Sequence, residues 1–178
     1  MRYHNSIFGQ ILSIISRHDF AKDVRELKSD KHSKGFSSWG HFVSMLFCQM
    51  AQAKSLREIC YGLKSCLGKI IHFGMIKAPK RSTLSYANAN RSWRLYERTF
   101  YRILNTTKAV TPGKKRKFRF KNKLSSFDSS TIDLCLRLFP WAKFRRTKGA
   151  IKLHLLLDHD GYLPSYAFIA EGKKHDVT

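Results

Sequence analysis

Hydrophobic periodicity changes once along this chain, and that change limits what it can fold into. Up to about residue 107, apolar side chains recur at helical spacing; from Leu124 onward they alternate one by one. A helical region must therefore be followed by strands. Phe8, Ile11, Leu12 and Ile15 follow the i, i+3, i+4, i+7 pattern, with Ser6 placed to cap that helix. Trp39, Phe42, Val43, Leu46, Phe47 and Met50 share one side of a second helix that starts at Ser37 or Ser38. Ser55-Leu56-Arg57-Glu58 reads as a capping box, opening a helix that buries Leu56, Ile59, Cys60 and Leu63 and ends near Gly68. Pro79-Lys80-Arg81-Ser82 then punctuates the chain, with Ser82 as the N-cap of a helix running to about Leu104. Residues 1–107 are expected to form an all-α domain.

Residues 108–123 read as a linker. Thr111-Pro112-Gly113 breaks regular structure, and the segment carries eight basic residues and no acid. Beyond it, Leu124 to Phe127 reads as a short strand that ends at Asp128. Ile132, Leu134, Leu136 and Leu138 alternate with Asp133, Cys135 and Arg137 as a further extended segment. Ile151, Leu153, Leu155 and Leu157 alternate with Lys152, His154 and Leu156. Asp158-His159-Asp160-Gly161 is a hairpin turn, with the glycine supplying positive φ. Tyr162 to Ala170 returns as the partner strand, and Pro164 marks an edge or a strand start. The fold class is α+β: an N-terminal all-α domain, then the first antiparallel strands of a sheet over residues 124–178.

Charge narrows the partners. Lys and Arg number 34 against 12 Asp and Glu, a formal net charge of +22. Such an excess favours a polyanion, with nucleic acid the first candidate and an anionic membrane surface the second. The bland alternative is a ribosomal-type or merely soluble basic protein. The imbalance is uneven: from Lys31 to Phe127 two acids, Glu58 and Glu97, stand against 21 Lys and Arg. Four cysteines (Cys48, Cys60, Cys66, Cys135) form no C-x-x-C pair and no zinc spacing, which fits a reducing cytosol. No run of roughly 20 apolar residues is long enough to span a membrane, and no signal-type apolar stretch follows Met1-Arg2. A cytoplasmic, nucleoid-associated protein without a membrane partner is expected.

In the helix expected from Ser82 to Leu104, about 100° per residue places Arg91, Arg94, Arg98 and Arg102 in one stripe. Trp93, Tyr96, Phe100 and Ile103 fall opposite. A row of guanidinium groups suits phosphate oxygens, so the stripe is a candidate DNA contact. Lys114, Lys115, Arg116, Lys117 and Arg119 in the linker are candidates of the same kind. A solvated polar face is the plainer reading of both.

Asp128 is the candidate catalytic and metal-binding residue. A strand-borne Asp followed by Ser-Ser-Thr and an antiparallel hairpin matches the opening of a ribonuclease-H-like fold. Phosphoryl chemistry there uses two cations roughly 3.5–4 Å apart, held by hard oxygen ligands suited to Mg²⁺ or Mn²⁺. From spacing alone, a turn or cap acid is at least as good a reading. A zinc set built from His154, His159, His175 and Asp176 has no recognised spacing.

The wider pattern adds to this. Phe127-Asp128-Ser129-Ser130-Thr131-Ile132-Asp133-Leu134-Cys135-Leu136, Phe139-Pro140-Trp141-Ala142, Lys148-Gly149-Ala150-Ile151-Lys152-Leu153-His154, Leu157-Asp158, Gly161-Tyr162-Leu163-Pro164 and Lys174-His175-Asp176 resemble bacterial insertion-sequence DDE transposases, in the group that excises DNA through hairpin ends. Tyr3-His4-Asn5-Ser6-Ile7-Phe8 and Arg81-Ser82-Thr83-Leu84-Ser85-Tyr86-Ala87-Asn88 resemble the helical domain that precedes the catalytic domain there. The resemblance implies cut-and-paste transposition on a ribonuclease-H-like core. Mg²⁺ or Mn²⁺ would serve the complete enzyme, DNA (transposon ends and target) would be its partner, and a homo-oligomer is possible. Asp128 matches the first acid of the triad. The family's second Asp, in a D-R-x-Y-like strand, and its Glu, in a later helix, have no match; Asp158 and Asp160 lie in a turn, and Asp176 matches a position outside the triad. The expectation is a truncated transposase that binds DNA, holds no metal stably by itself and does not cut alone. The alternatives are a stand-alone DNA-binding repressor of transposition and a basic RNA-binding protein.

Overall fold

The computed structural model describes residues 6–110, 124–134, 149–159 and 163–172. Among them, six α-helices precede a three-stranded antiparallel sheet, an α+β arrangement. The chain divides into two compact units, residues 1–103 and 104–178.

In the first unit, serines set the helix starts. Helix α1 (Ile7–Ser13) is capped by Ser6, whose hydroxyl accepts from the Gly9 amide at 3.2 Å. Helix α2 (Arg17–Glu26) is capped the same way by Ser16 through the Asp19 amide. Helix α3 (Ser38–Met50) takes Ser37 as its cap, and helix α4 (Leu56–Ser65) takes Ser55. The α4 start is a capping box with a variation: Ser55 accepts from the Glu58 amide, while the Glu58 carboxylate reaches one residue further back, to the Lys54 amide at 2.9 Å. These bonds hold the Glu58 carboxyl below its usual range, the Lys54 amide contributing most and Ser55 next. A single 3₁₀ turn (Lys69–Phe73) follows, between Gly68 and Gly74, both at positive φ.

The apolar stripes of these helices meet in one core. Leu12, Ile15, Trp39, Phe42, Val43, Ile59 and Leu63 are buried there, as the spacing predicted, whereas Met50 is exposed. The Trp39 indole donates to the Phe73 carbonyl at 2.7 Å, tying α3 to the 3₁₀ turn, and the Arg17 guanidinium lies 3.9 Å over its ring. Phe8 meets Phe47 and Phe73 edge to face. Gly62 lets α4 lie close against α3, since a Cβ there would fall 2.7 Å from the Phe47 ring.

The expected single helix from Ser82 to Leu104 is two helices. Helix α5 (Arg81–Asn90) starts one residue earlier, with Lys80 at the N-cap position and no side-chain cap, and helix α6 runs Arg94–Val110. Ser82 therefore lies inside α5 and does not cap it. The break at Arg91-Ser92-Trp93 has local causes. Arg91 is extended (φ −85°, ψ 141°), the Asn90 side chain donates to the Tyr86 carbonyl, and the Ser92 hydroxyl accepts from the Arg94 amide. Asn and Ser offer the backbone these alternatives to helical bonding.

The second unit holds strands β1 (Ser125–Leu134), β2 (Gly149–Asp158) and β3 (Leu163–Glu171), in the order β1-β2-β3. Ser125 pairs with Asp158 and Leu134 with Gly149; Asp158 pairs with Leu163 and Ile151 with Glu171. The short strand expected to end at Asp128 is in fact the first part of a ten-residue strand, because the Ile132 segment continues the same ladder. Pro164 lies second in edge strand β3, beside a register irregularity at Leu156 and Leu157, where its missing donor is tolerated. No helix among the described residues is long and apolar enough to cross a membrane.

Candidate nucleic-acid interface

Breaking the helix at Arg91 dissolves the stripe into separate sites. The Arg91 side chain is 9% exposed, and it bonds the Asp30 carboxylate at 3.2 Å and the carbonyls of Phe36 and Ser37. Burial lowers its pKa, while Asp30 pushes it back up. Tyr96 and His41 sit beside it, with the Tyr96 hydroxyl 3.1 Å from His41 Nδ1. His41 is 3% exposed, and burial, helped by the Arg91 charge, brings its pKa down to about 4. Burial raises the Tyr96 phenol. Arg91 is thus a cross-link between α5 and the α3 entry, outside the single helix expected to carry it in one stripe with Arg94, Arg98 and Arg102.

Arg98 and Arg102 face helix α2. Arg102 holds both oxygens of Asp23 at 2.8 Å, and Asp19 lies 4.0 Å away. Arg98 holds Glu26 at 2.6 Å and approaches Asp23 to 3.6 Å. Asp23 is 3% exposed, so this is a partly buried network joining α2 to α6. Bonding to Asp23 raises the Arg102 pKa. Arg94 is exposed and takes part in no ion pair among the described residues. On the opposite side, Tyr96 and Ile103 pack on the core, whereas Trp93 is 66% exposed. The sequence carried a signal for this network: Asp19, Asp23 and Glu26, spaced by four and three, make an acidic stripe matching Arg98 and Arg102.

Lys114, Lys115, Arg116, Lys117 and Arg119 lie outside the described residues, as do Asp160, His175 and Asp176. Asp128 stands in mid-strand, exposed, its Oδ1 accepting from the Ser129 amide at 2.8 Å. Its register partner is Leu155, so it shares a face with Ser126, Ser130, Ile132, Leu153 and Ile151. Asp133 points to the other face. Glu171, opposite Ile151, shares the Asp128 face but lies two strands across and four residues along, roughly 16 Å away by strand spacing and rise. Among the described residues, no three His, Cys, Asp or Glu side chains gather to hold a metal ion. A pair of cations about 4 Å apart needs more ligands than Asp128 supplies, so the described residues do not fit the Mg²⁺ or Mn²⁺ site that the resemblance implies. His154, 4% exposed, stacks between Phe127 and Phe168 on the other face, a packed aromatic layer.

Over residues 3–76 the chain matches a family model described as a domain of unknown function, DUF4372. The matched span takes in α1 to α4 and the 3₁₀ turn and stops before α5. No curated protein and no solved structure matches the chain.

Proposed function

We propose that this chain is the DNA-binding part of a DDE-type insertion-sequence transposase, and that binding, without cutting, is what these residues do. The observation that carries the reading is the charge imbalance from Lys31 to Phe127, with 21 cations against two acids. One of those acids, Glu58, is folded back onto its own helix start. The domain matched by residues 3–76 is one found in transposase-like proteins, which supports the same class. Asp128, on the first strand of the antiparallel meander, is the residue that the resemblance to these transposases would make the first acid of the triad. Hydrolysis at transposon ends and strand transfer would also need the second Asp and the Glu of the triad, for which the sequence offers no matching motif.

A second reading is a repressor that occupies transposon ends, which needs the same duplex binding and no metal site; within the sheet, Glu171, the carboxylate that shares the Asp128 face, lies roughly 16 Å from it. Both readings are tested by titrating the chain with labelled duplex DNA and with RNA of equal length across a salt series. Duplex binding with a steep salt dependence is expected, unchanged in Asp128→Ala. Tighter binding to RNA would sink both readings in favour of a basic RNA-binding protein.

A further inference from the structure

Five cations of the helical unit that form no ion pair among the described residues converge elsewhere. Arg57, Lys64, Lys77, Lys80 and Arg81 line a cleft of about 540 Å³ between α4 and the segment leading into α5. Tyr61, Cys60, Ala78 and Pro79 complete its wall, whose surface is mostly apolar, and no acid lines it. All five cations are exposed, and none takes part in an ion pair among the described residues. Glu58 is the one acid on α4, and its carboxylate is spent on the capping box. The cleft also opens at the start of α5, a ten-residue helix whose first amides have no side-chain cap. Those amides add partial positive charge where Lys80 and Arg81 already stand.

We infer that this cleft seats the phosphate backbone of duplex DNA, as the principal backbone contact of the helical unit. The inference rests on the proposed function and adds the surface. Five unneutralised cations gathered from α4 and the segment from Lys77 to Arg81 repel one another, a cost that a polyanion laid along them offsets. Fixed geometry favours the backbone over a free anion, because the cations come from two separated segments (Arg57 to Lys64 and Lys77 to Arg81) and track several successive phosphates. Tyr61 is 65% exposed at the wall, placed to lie against a sugar. None of these groups reads a base edge, so binding here is independent of sequence.

The test compares salt slopes for a labelled random-sequence duplex. Lys64→Ala, Lys80→Ala and Arg81→Ala combined should flatten the slope of log K against log salt by about 0.9 per lost contact, roughly two to three in all. Exchanging the same positions to Arg, Arg and Lys should restore it. Removing three exposed cations outside the cleft, by Lys22→Ala, Arg25→Ala and Lys31→Ala, should leave the slope near that of the unaltered chain and so separates contact from net charge. Thermal melts confirm that each variant is folded. Duplex binding with an unchanged slope in the cleft variant would overturn this inference alone. Displacement of the duplex by inorganic phosphate at matched ionic strength would overturn it too, marking a small-anion pocket. An unaltered chain that binds no duplex would overturn the proposed function itself.

Discussion

Two faces of the helical unit carry the same residue types to opposite ends. On the α2–α6 face, Arg98 and Arg102 meet Asp19, Asp23 and Glu26 and become part of the fold. Along the α4–α5 cleft, five Lys and Arg meet no acid and remain available. A basic stripe in a sequence therefore does not locate a ligand surface until the acids have been placed. What distinguishes the two faces is helix α2, which lays three carboxylates along one of them.

The sharpest way to break this comparison is to cut the paired face. Arg102→Met keeps the aliphatic length but takes the bidentate partner from Asp23, leaving a carboxylate only 3% exposed with Arg98 alone nearby. Orphaning a buried charge costs several kcal/mol; because the Arg102 side chain is itself 40% exposed, about 3 kcal/mol is expected. Chemical denaturation measures this directly. The salt slope for duplex DNA should stay as it was in the folded variant. A variant of unchanged stability but flattened slope would reverse the assignment and return the stripe to the interface.

Acid is the second probe, through the third paired arginine. His41 is buried neutral, facing the Tyr96 hydroxyl, the Asn88 side chain and the Arg91 guanidinium, with the Phe36 ring 6.3 Å away. No carboxylate reaches it; Asp30 is taken by Arg91. Its pKa is about 4 when folded and 6.5 when free, so between those values the unfolded chain binds more protons. Stability is full above about pH 6.5, falls as pH drops through that window, and has lost on the order of 3 kcal/mol by its lower end. Glu58 and Asp19, also held below their usual range, act lower, under about pH 4.5. Melting temperatures across the window should slope for the unaltered chain and flatten for His41→Gln. Equal slopes would show that His41 is not the group responsible.

The sequence showed α1, α3 and α4 because their evidence is local: a serine, then apolar residues three and four apart. Helix α2 was missed because its central buried residue is Asp23, which reads as surface until Arg102, 79 positions later, is brought to it. The α5–α6 break has no proline or glycine; it rests on Asn90, Ser92 and the pull of distant carbonyls on Arg91. Asp128 was legible as a strand residue, but its place in mid-strand needed the β2 register. The cleft escaped notice since Arg57 and Lys64 come from one helix and Lys77 to Arg81 from a segment past the 3₁₀ turn, and no period links them.

The smallest expected effect sharpens the comparison most. If the cleft cations take no part in folding, removing them must leave the fold alone. Lys64→Ala, Lys80→Ala and Arg81→Ala lie on exposed surface without ion-pair partners among the described residues, so each should change stability by no more than about 0.5 kcal/mol. The sign is also set. Like charges facing one another across a cleft repel, and the repulsion is screened as salt rises. The triple variant should therefore melt slightly higher than the unaltered chain at low salt, with the difference vanishing at high salt. Arg102→Met should instead melt lower at every salt concentration, because a carboxylate only 3% exposed loses its bidentate partner whatever the salt. A cleft variant that melts markedly lower would mean these cations hold α4 to α5, and the distinction between a paired face and a free one would collapse.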